Sequence, residues 1–328
     1  MRLLVKQLLL SVTLVGVIPA LIFSGVSQGF DDEATTTASV SIIDFGVDIT
    51  VIDDQGSPHF VPLEEYIIGV VLGEVSADFH DEALKAQAVS ARTYTLYCVE
   101  VLKKHSGGAV CTDHRCCQAY CDPTDYLNQG GTQKGIRKVQ VAVNATAGQV
   151  LQYDSQMICA TYFASSGGQT EDASEVWEGN YPYLQSVESP DEEECGYFCK
   201  QTTYSAQELQ DALGVCLVGK PESWFGMVTH TVGGGVDLMR IGGKLYTGTE
   251  LRRLLKLRST ILNVTPTDDG VIIDTKGYGH RVGMSQHGAN AMAMGDSNYK
   301  EILHHYYADV TLCQMDPPKD LCNPEDGD

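Results

Sequence analysis

Positive charge is what this sequence has least of. Lys and Arg number 22 against 43 Asp and Glu, a formal net charge of −21. A chain this acidic is a poor partner for nucleic acid or anionic lipid, which select clustered Lys and Arg. Its one basic stretch, Arg252, Arg253, Lys256 and Arg258, falls on an amphipathic helix expected at 249–257 and reads as a solvated helix face. Acid is dense at 188–194 and in the tail 316–328, where solvated surface is again the expectation. No His-Glu-x-x-His pair occurs, which argues against a zinc peptidase of that class. No Lys-Ser or Lys-Thr pair follows the glycines at 277–283, so the chain lacks a phosphate loop. There is no internal repeat.

What is present is an ordinary globular composition, 43% hydrophobic and 20% charged over 328 residues. That length buries a substantial core, in one large domain or two modest ones. Arg2 and Lys6 precede an apolar run at 8–23. With its flanks the run reaches about twenty residues, enough to cross a bilayer. Ser24-Gly25-Val26-Ser27 is not a clear small-x-small cleavage site, so residues 1–28 are expected to be an uncleaved anchor, with a cleaved signal segment as the alternative. Either way the positive flank puts the remainder outside the cytoplasm. Residues 29–40 read as a linker, 41–315 as the extracytoplasmic domain in one body or two lobes, and 316–328 as an acidic tail.

The domain is organised around 63–102, LEEYIIGVVLGEVSADFHDEALKAQAVSARTYTLYCVEVL. Glu74 ends a nearly unbroken apolar run and is the only ionisable group there other than Tyr66 between Glu65 and Asp78. A carboxylate on partly desolvated surface has a raised pKa, which suits a general acid near neutral pH. The competing reading is a surface glutamate at a helix end. Leu84, Ala88, Ala91, Thr95, Cys98 and Leu102 recur at steps of four and three, one buried face of a second helix that begins at the acidic turn Asp81-Glu82. Arg92 follows Ala91, on the rim and within reach of Glu74, or on the open surface.

Eleven cysteines outside the cytoplasm would ordinarily form disulfides, but the number is odd and five fall within 98–121. His105, Cys111, Cys116 and Cys117 lie at short spacing on a glycine-rich loop, the donor set of tetrahedral zinc. Four protein ligands would close such a site and make it structural rather than hydrolytic. His114 and Cys121 are extra donors, and the alternative is one or two disulfides, such as Cys111 with Cys121. Cys195 and Cys199 are candidates to pair with each other or with Cys216.

Elsewhere strands are expected over 40–52, 59–61, 226–231, 236–241 and 310–312, with hairpins over 149–163 and 261–275. Helices are expected over 133–147, 205–213, 286–294 and 299–307, with Ser205 and Glu208 forming a capping box. Ser165, Ser166 and Glu171 lie in a polar Ser/Gly loop, and Trp177 and the 181–184 run supply loop aromatics. The expected class is α+β, helices mixed with antiparallel hairpins behind an N-terminal transmembrane helix.

The stretch 63–94 together with GHRVGMSQHGA at 279–289 resembles the stage II sporulation protein D family, over roughly 49–312. The resemblance implies a lytic transglycosylase of peptidoglycan acting during engulfment of the forespore, with a glycan-binding groove and Glu74 as the catalytic acid. It places Arg92 and Tyr183 beside sugar and carboxylate. Substrate contacts would come from Ser165, Ser166, Glu171, Gln185, His280, Ser285 and Gln286. It implies bound zinc at His105, Cys111, Cys116 and Cys117, although Cys116 stands where clostridial members have histidine. Gln185 replaces the family's lysine, and His287 an aromatic. The implied setting is a single-pass membrane protein working on strands stripped by an amidase partner, alongside other engulfment membrane proteins. Two alternatives stand beside this reading: a zinc-dependent amidase or peptidase, and a non-catalytic wall-binding protein.

Overall fold

The computed structural model describes residues 40–316 apart from Pro190. The expected anchor 1–28, nearly all of the linker and the tail lie outside the described residues. Among those described, no helix is long and apolar enough to cross a membrane.

Two helices carry the architecture. The first, α1 (Leu63–Glu74), follows Pro62, whose missing N–H costs nothing at a helix start. The second, α2 (Asp81–Leu96), starts where His80 accepts the Glu82 amide. Sequence periodicity predicts one buried face on α2, but the structure buries it nearly all round. Leu84, Ala88, Ala91 and Cys98 join one core with α1 and the helix Gln133–Ala145. Ala83, Ala86, Val89 and Tyr97 join a second with Gln286–Met294 and Tyr299–Tyr306. Alanines allow this, because backbones on both sides approach without a large side chain between them. Tyr97–Leu102 closes α2 as a π-helical turn, and Lys103 reverses the chain with φ of 47°.

A third core is built only from residues 204–273. It holds the sheet in which Gly270–Lys276 lies between Ile261–Pro266 and Cys199–Ser205, and the meander Phe225–His230, Val236–Ile241, Lys244–Thr247. The Ser205–Glu208 capping box forms as expected. Strand Cys199–Ser205 and helix Pro123–Asn128 are additions that polar, acid-flanked sequence did not reveal.

Two pairings position the site. Asp48–Ile52 pairs antiparallel with Pro58–Pro62 and, on its other edge, parallel with Val110–Cys111, which fixes Cys111. The hairpin expected over 149–163 is shorter than its sequence suggests, since only Gln156–Met157 returns against Gln149–Tyr153. Tyr162–Phe163 instead runs parallel to Met284–Ser285, bringing the 279–289 motif opposite α1.

Candidate active site

Glu74 is the last residue of α1, the end at which the helix dipole disfavours a negative charge. It is half-buried in the wall of a groove of about 880 Å³. Burial raises its pKa, partly offset by the Ala119 amide, by Gln286 and by the His114 charge. Ala119 N donates to Oε1 at 2.7 Å, and Gln286 Nε2 faces Oε2 at 3.4 Å. Gly73 makes the first contact possible, because a Cβ there would lie 2.9 Å from Tyr120 N and 3.0 Å from Ala119 C. Among the described residues Glu74 is the only carboxylate lining the groove.

The groove walls are aromatic and amide-bearing. Gln118 accepts the Tyr162 hydroxyl at 2.7 Å and donates to Thr95 Oγ1 at 2.7 Å, so a buried amide is fully oriented beside the acid. His280 packs at 5.1 Å from Trp177 and 5.6 Å from Phe163. Burial, reinforced by the Arg252 charge, lowers its pKa to about 4, so it is neutral near pH 7. His287 meets Phe79 edge-on at 5.1 Å and Tyr197 at 5.5 Å, so its ring packs as one aromatic among others.

Cys116 and Cys117 line the same groove as Glu74, and one ligand atom from each of His105, Cys111, Cys116 and Cys117 falls within 4.8 Å of the others. Cys116 Sγ is 3.4 Å and Cys117 Sγ 3.6 Å from His105 Nε2. Both cysteine amides turn onto the Asp113 carbonyl at 2.9 Å, which aims both thiols the same way. Burial and the neighbouring thiols push the Cys116 thiol up to about 11, so it ionises only against a cation. One imidazole and three thiols fit a tetrahedral zinc ion. His114 and Cys121 lie outside the group, and Cys121 carries a free thiol, as do Cys195, Cys199 and Cys216.

Glu74, His280 and Gln286 thus meet in the groove, but other expected site residues do not. Arg92 is fully buried on the far side of α2. Its Nε and Nη2 donate to Glu64 at 2.9 and 2.6 Å, and Nη1 donates to the Gln149 carbonyl at 3.1 Å. Burial decides this, since a guanidinium inside a core must take an internal carboxylate. Tyr183 is buried with its hydroxyl oxygen accepting the Cys159 amide at 2.9 Å, and the exposed Gln185 donates to the Pro182 carbonyl at 2.9 Å. Neither lines the groove.

Ser165, Ser166 and Ser285 also turn inward. Their hydroxyls donate to Glu192 at 2.6, 2.7 and 2.8 Å, and Ser189 adds a fourth at 2.6 Å. Sequence reasoning placed Glu192 in a solvated acidic stretch, yet it is 2% exposed. Glu171 is equally buried and pairs with Arg281 at 2.9 Å. These two carboxylates tie the Ser/Gly loop to the 279–289 motif from behind, where sugar hydroxyls do not reach. Gln118, Tyr162 and Arg252 are groove residues that sequence reasoning missed. The Cys pair at 116–117 pointed to Gln118 only by adjacency.

Comparison with known proteins agrees with the two-motif resemblance. The family described as SpoIID, stage II sporulation protein, matches residues 56–153. Stage II sporulation protein D of Bacillus subtilis is 37% identical over 264 residues, 78% of this chain and 76% of that protein. Its counterpart in Bacillus amyloliquefaciens is 36% identical over 261 residues, 78% of this chain and 75% of that one. The amidase enhancer of Bacillus subtilis is 29% identical over 302 residues but shares only 40% of its own length.

Proposed function

This chain belongs to the stage II sporulation protein D family and is a sporulation protein, and from that premise we propose that it is a peptidoglycan lytic transglycosylase. The observation that carries the reading is the solitary, desolvated Glu74 in the groove wall. Ordinary glycosidases use two carboxylates, one as acid and one as base or nucleophile. With one carboxylate, the chemistry closes if the substrate supplies its own nucleophile. Protonated Glu74 gives its proton to the β-1,4 oxygen between N-acetylmuramic acid and N-acetylglucosamine, and the C1–O bond breaks. The resulting carboxylate takes the proton of the muramic C6 hydroxyl as O6 bonds to C1. The product is a 1,6-anhydro end; no water is consumed and the acid is regenerated.

The raised pKa of Glu74 supports the first step by keeping the proton available near neutral pH. Ala119 N–H and Gln286 Nε2 support the second, since both stabilise the carboxylate formed after transfer. Aromatic faces at Trp177 and Tyr278 suit pyranose rings. Zinc at His105, Cys111, Cys116 and Cys117 would hold the loop that supplies the Ala119 amide. Four donors leave no open position, which weighs against a metal-dependent amidase or peptidase. The membrane anchor at 1–28, engulfment partners and an upstream amidase belong to the same proposal.

The test is mass spectrometry of peptide-free glycan strands incubated with the protein and with Glu74→Gln. Anhydro ends from the parent alone support the reading. Reducing ends indicate a hydrolase, and no cleavage by either variant indicates a wall-binding role.

A further inference from the structure

Residues 118–120 lead from the thiol pair to Cys121 almost without backbone support. The Cys117 amide bonds to the Asp113 carbonyl and the Cys121 amide to the Gly69 carbonyl, both at 2.9 Å. Between them, among the described residues, no main-chain group of 118–120 bonds to other main chain. The Ala119 amide points instead at Glu74 Oε1, at 2.7 Å. That N–H belongs to the peptide joining Gln118 to Ala119, so whatever orients Gln118 also orients the donor to the acid.

The Gln118 side chain supplies that orientation, and it is 2% exposed. Its Nε2 donates to Thr95 Oγ1 on α2 at 2.7 Å, while its Oε1 accepts the Tyr162 hydroxyl at 2.7 Å. Thr95 is fully buried behind the groove, and its own hydroxyl donates to the Ala91 carbonyl at 2.8 Å. The donors therefore run one way, from Tyr162 through Gln118 and Thr95 into the backbone of α2. With its proton committed to Ala91, Thr95 can only accept from Gln118. The amide cannot flip without setting its oxygen against the Thr95 oxygen. Local bonding of a helix threonine accounts for the Ala91 contact alone. It does not account for the second contact, to an amide 23 residues further along the chain.

We propose that Thr95 and Gln118 are positioning residues for the groove acid: α2 holds the Gln118 amide through Thr95, and Gln118 in turn holds the Ala119 N–H against Glu74. This rests on reading Glu74 as the acid, but not on the products it forms. A buried amide that loses its acceptor must move to find another, and the peptide attached to it moves too. The Ala119 hydrogen bond favours the Glu74 carboxylate, so loosening it raises the pH at which Glu74 ionises. A residue with no surface in the groove thereby sets the proton affinity of the group that works there.

The test is carbon-13 NMR of the Glu74 carboxyl, titrated in the full-length protein without ligand and assigned by its loss in Glu74→Gln. Thr95→Val replaces the hydroxyl with a methyl of similar size, and is expected to move the Glu74 titration to higher pH. Gln118→Met should move it in the same direction. Adding Thr95→Val to Gln118→Met should then change nothing further, because the link is already cut. A lower melting temperature with the Glu74 titration unmoved would make Thr95 a packing residue and overturn the proposal. So would a Thr95→Val shift that persists undiminished beside Gln118→Met. Where Gln118→Met does not fold, Thr95→Val decides alone. Products are read separately: a shifted titration without anhydro ends from the parent sinks the lytic reading alone, whereas anhydro ends with an unmoved titration sink this assignment alone.

Discussion

The backbone amide of Ala119 donates to Glu74 Oε1 at 2.7 Å, just beyond the Cys116-Cys117 pair in the chain. The loop that gathers the thiols is therefore also the loop that holds the acid. Gly73 is where this contact is most open to test. Gly73→Ala should gain about 1 kcal/mol of helix propensity. Its Cβ nevertheless meets backbone at 2.9 and 3.0 Å, so the loop must shift. We expect kcat to fall by about tenfold or more with a thermal midpoint close to the parent's. An unchanged kcat would show that the Ala119 contact is dispensable.

The pH dependence follows from the direction of the Glu74 shift. Burial raises its folded-state pKa, so between the unfolded and folded values the native chain binds the extra proton. Its contribution to stability is fully present below the unfolded value and is lost as pH rises through the folded one. Glu74→Gln should accordingly raise the melting temperature at pH 8 more than at pH 4. The alkaline limb of the activity profile should lie above the pKa of a free glutamate. His280 shifts the other way, and activity should show no inflection from it near pH 6.5.

Arg92 and Glu64 are 0% and 1% exposed and lie 2.6 Å apart. Removing either leaves the other charge buried. Arg92→Met should cost about 3–5 kcal/mol in denaturant unfolding. The folded fraction should retain the parent's kcat. A lowered kcat without loss of stability would restore Arg92 to the catalytic machinery.

The proposed metal can be counted directly. The purified protein is expected to carry one zinc per chain by elemental analysis, lost in Cys117→Ser and retained in Cys121→Ser. Chelation should lower the melting temperature and reduce activity together, because the loop bearing Ala119 loosens. Full activity after complete metal removal would separate the thiol group from the acid.

Much of the site's chemistry is legible along the chain, and its geometry is not. Glu74 stands out because a single acid closes a long apolar run, a pattern independent of distant residues. His105, Cys111, Cys116 and Cys117 stand out because donors at short spacing must lie near one another. The capping box at Ser205 is local for the same reason. Tertiary structure decided which polar residues face the groove. Arg92, Glu171, Ser165, Ser166 and Ser285 carry the right functional groups, but each is consumed by a buried partner up to 110 residues away in sequence. Glu192 read as solvated acid and became the anchor of four hydroxyls, whereas Arg252 read as a solvated face and became a groove residue. A charge's role depends on whether folding brings it a counter-charge or turns it toward a groove. That pairing is made across the fold, between segments whose sequences give no sign of each other.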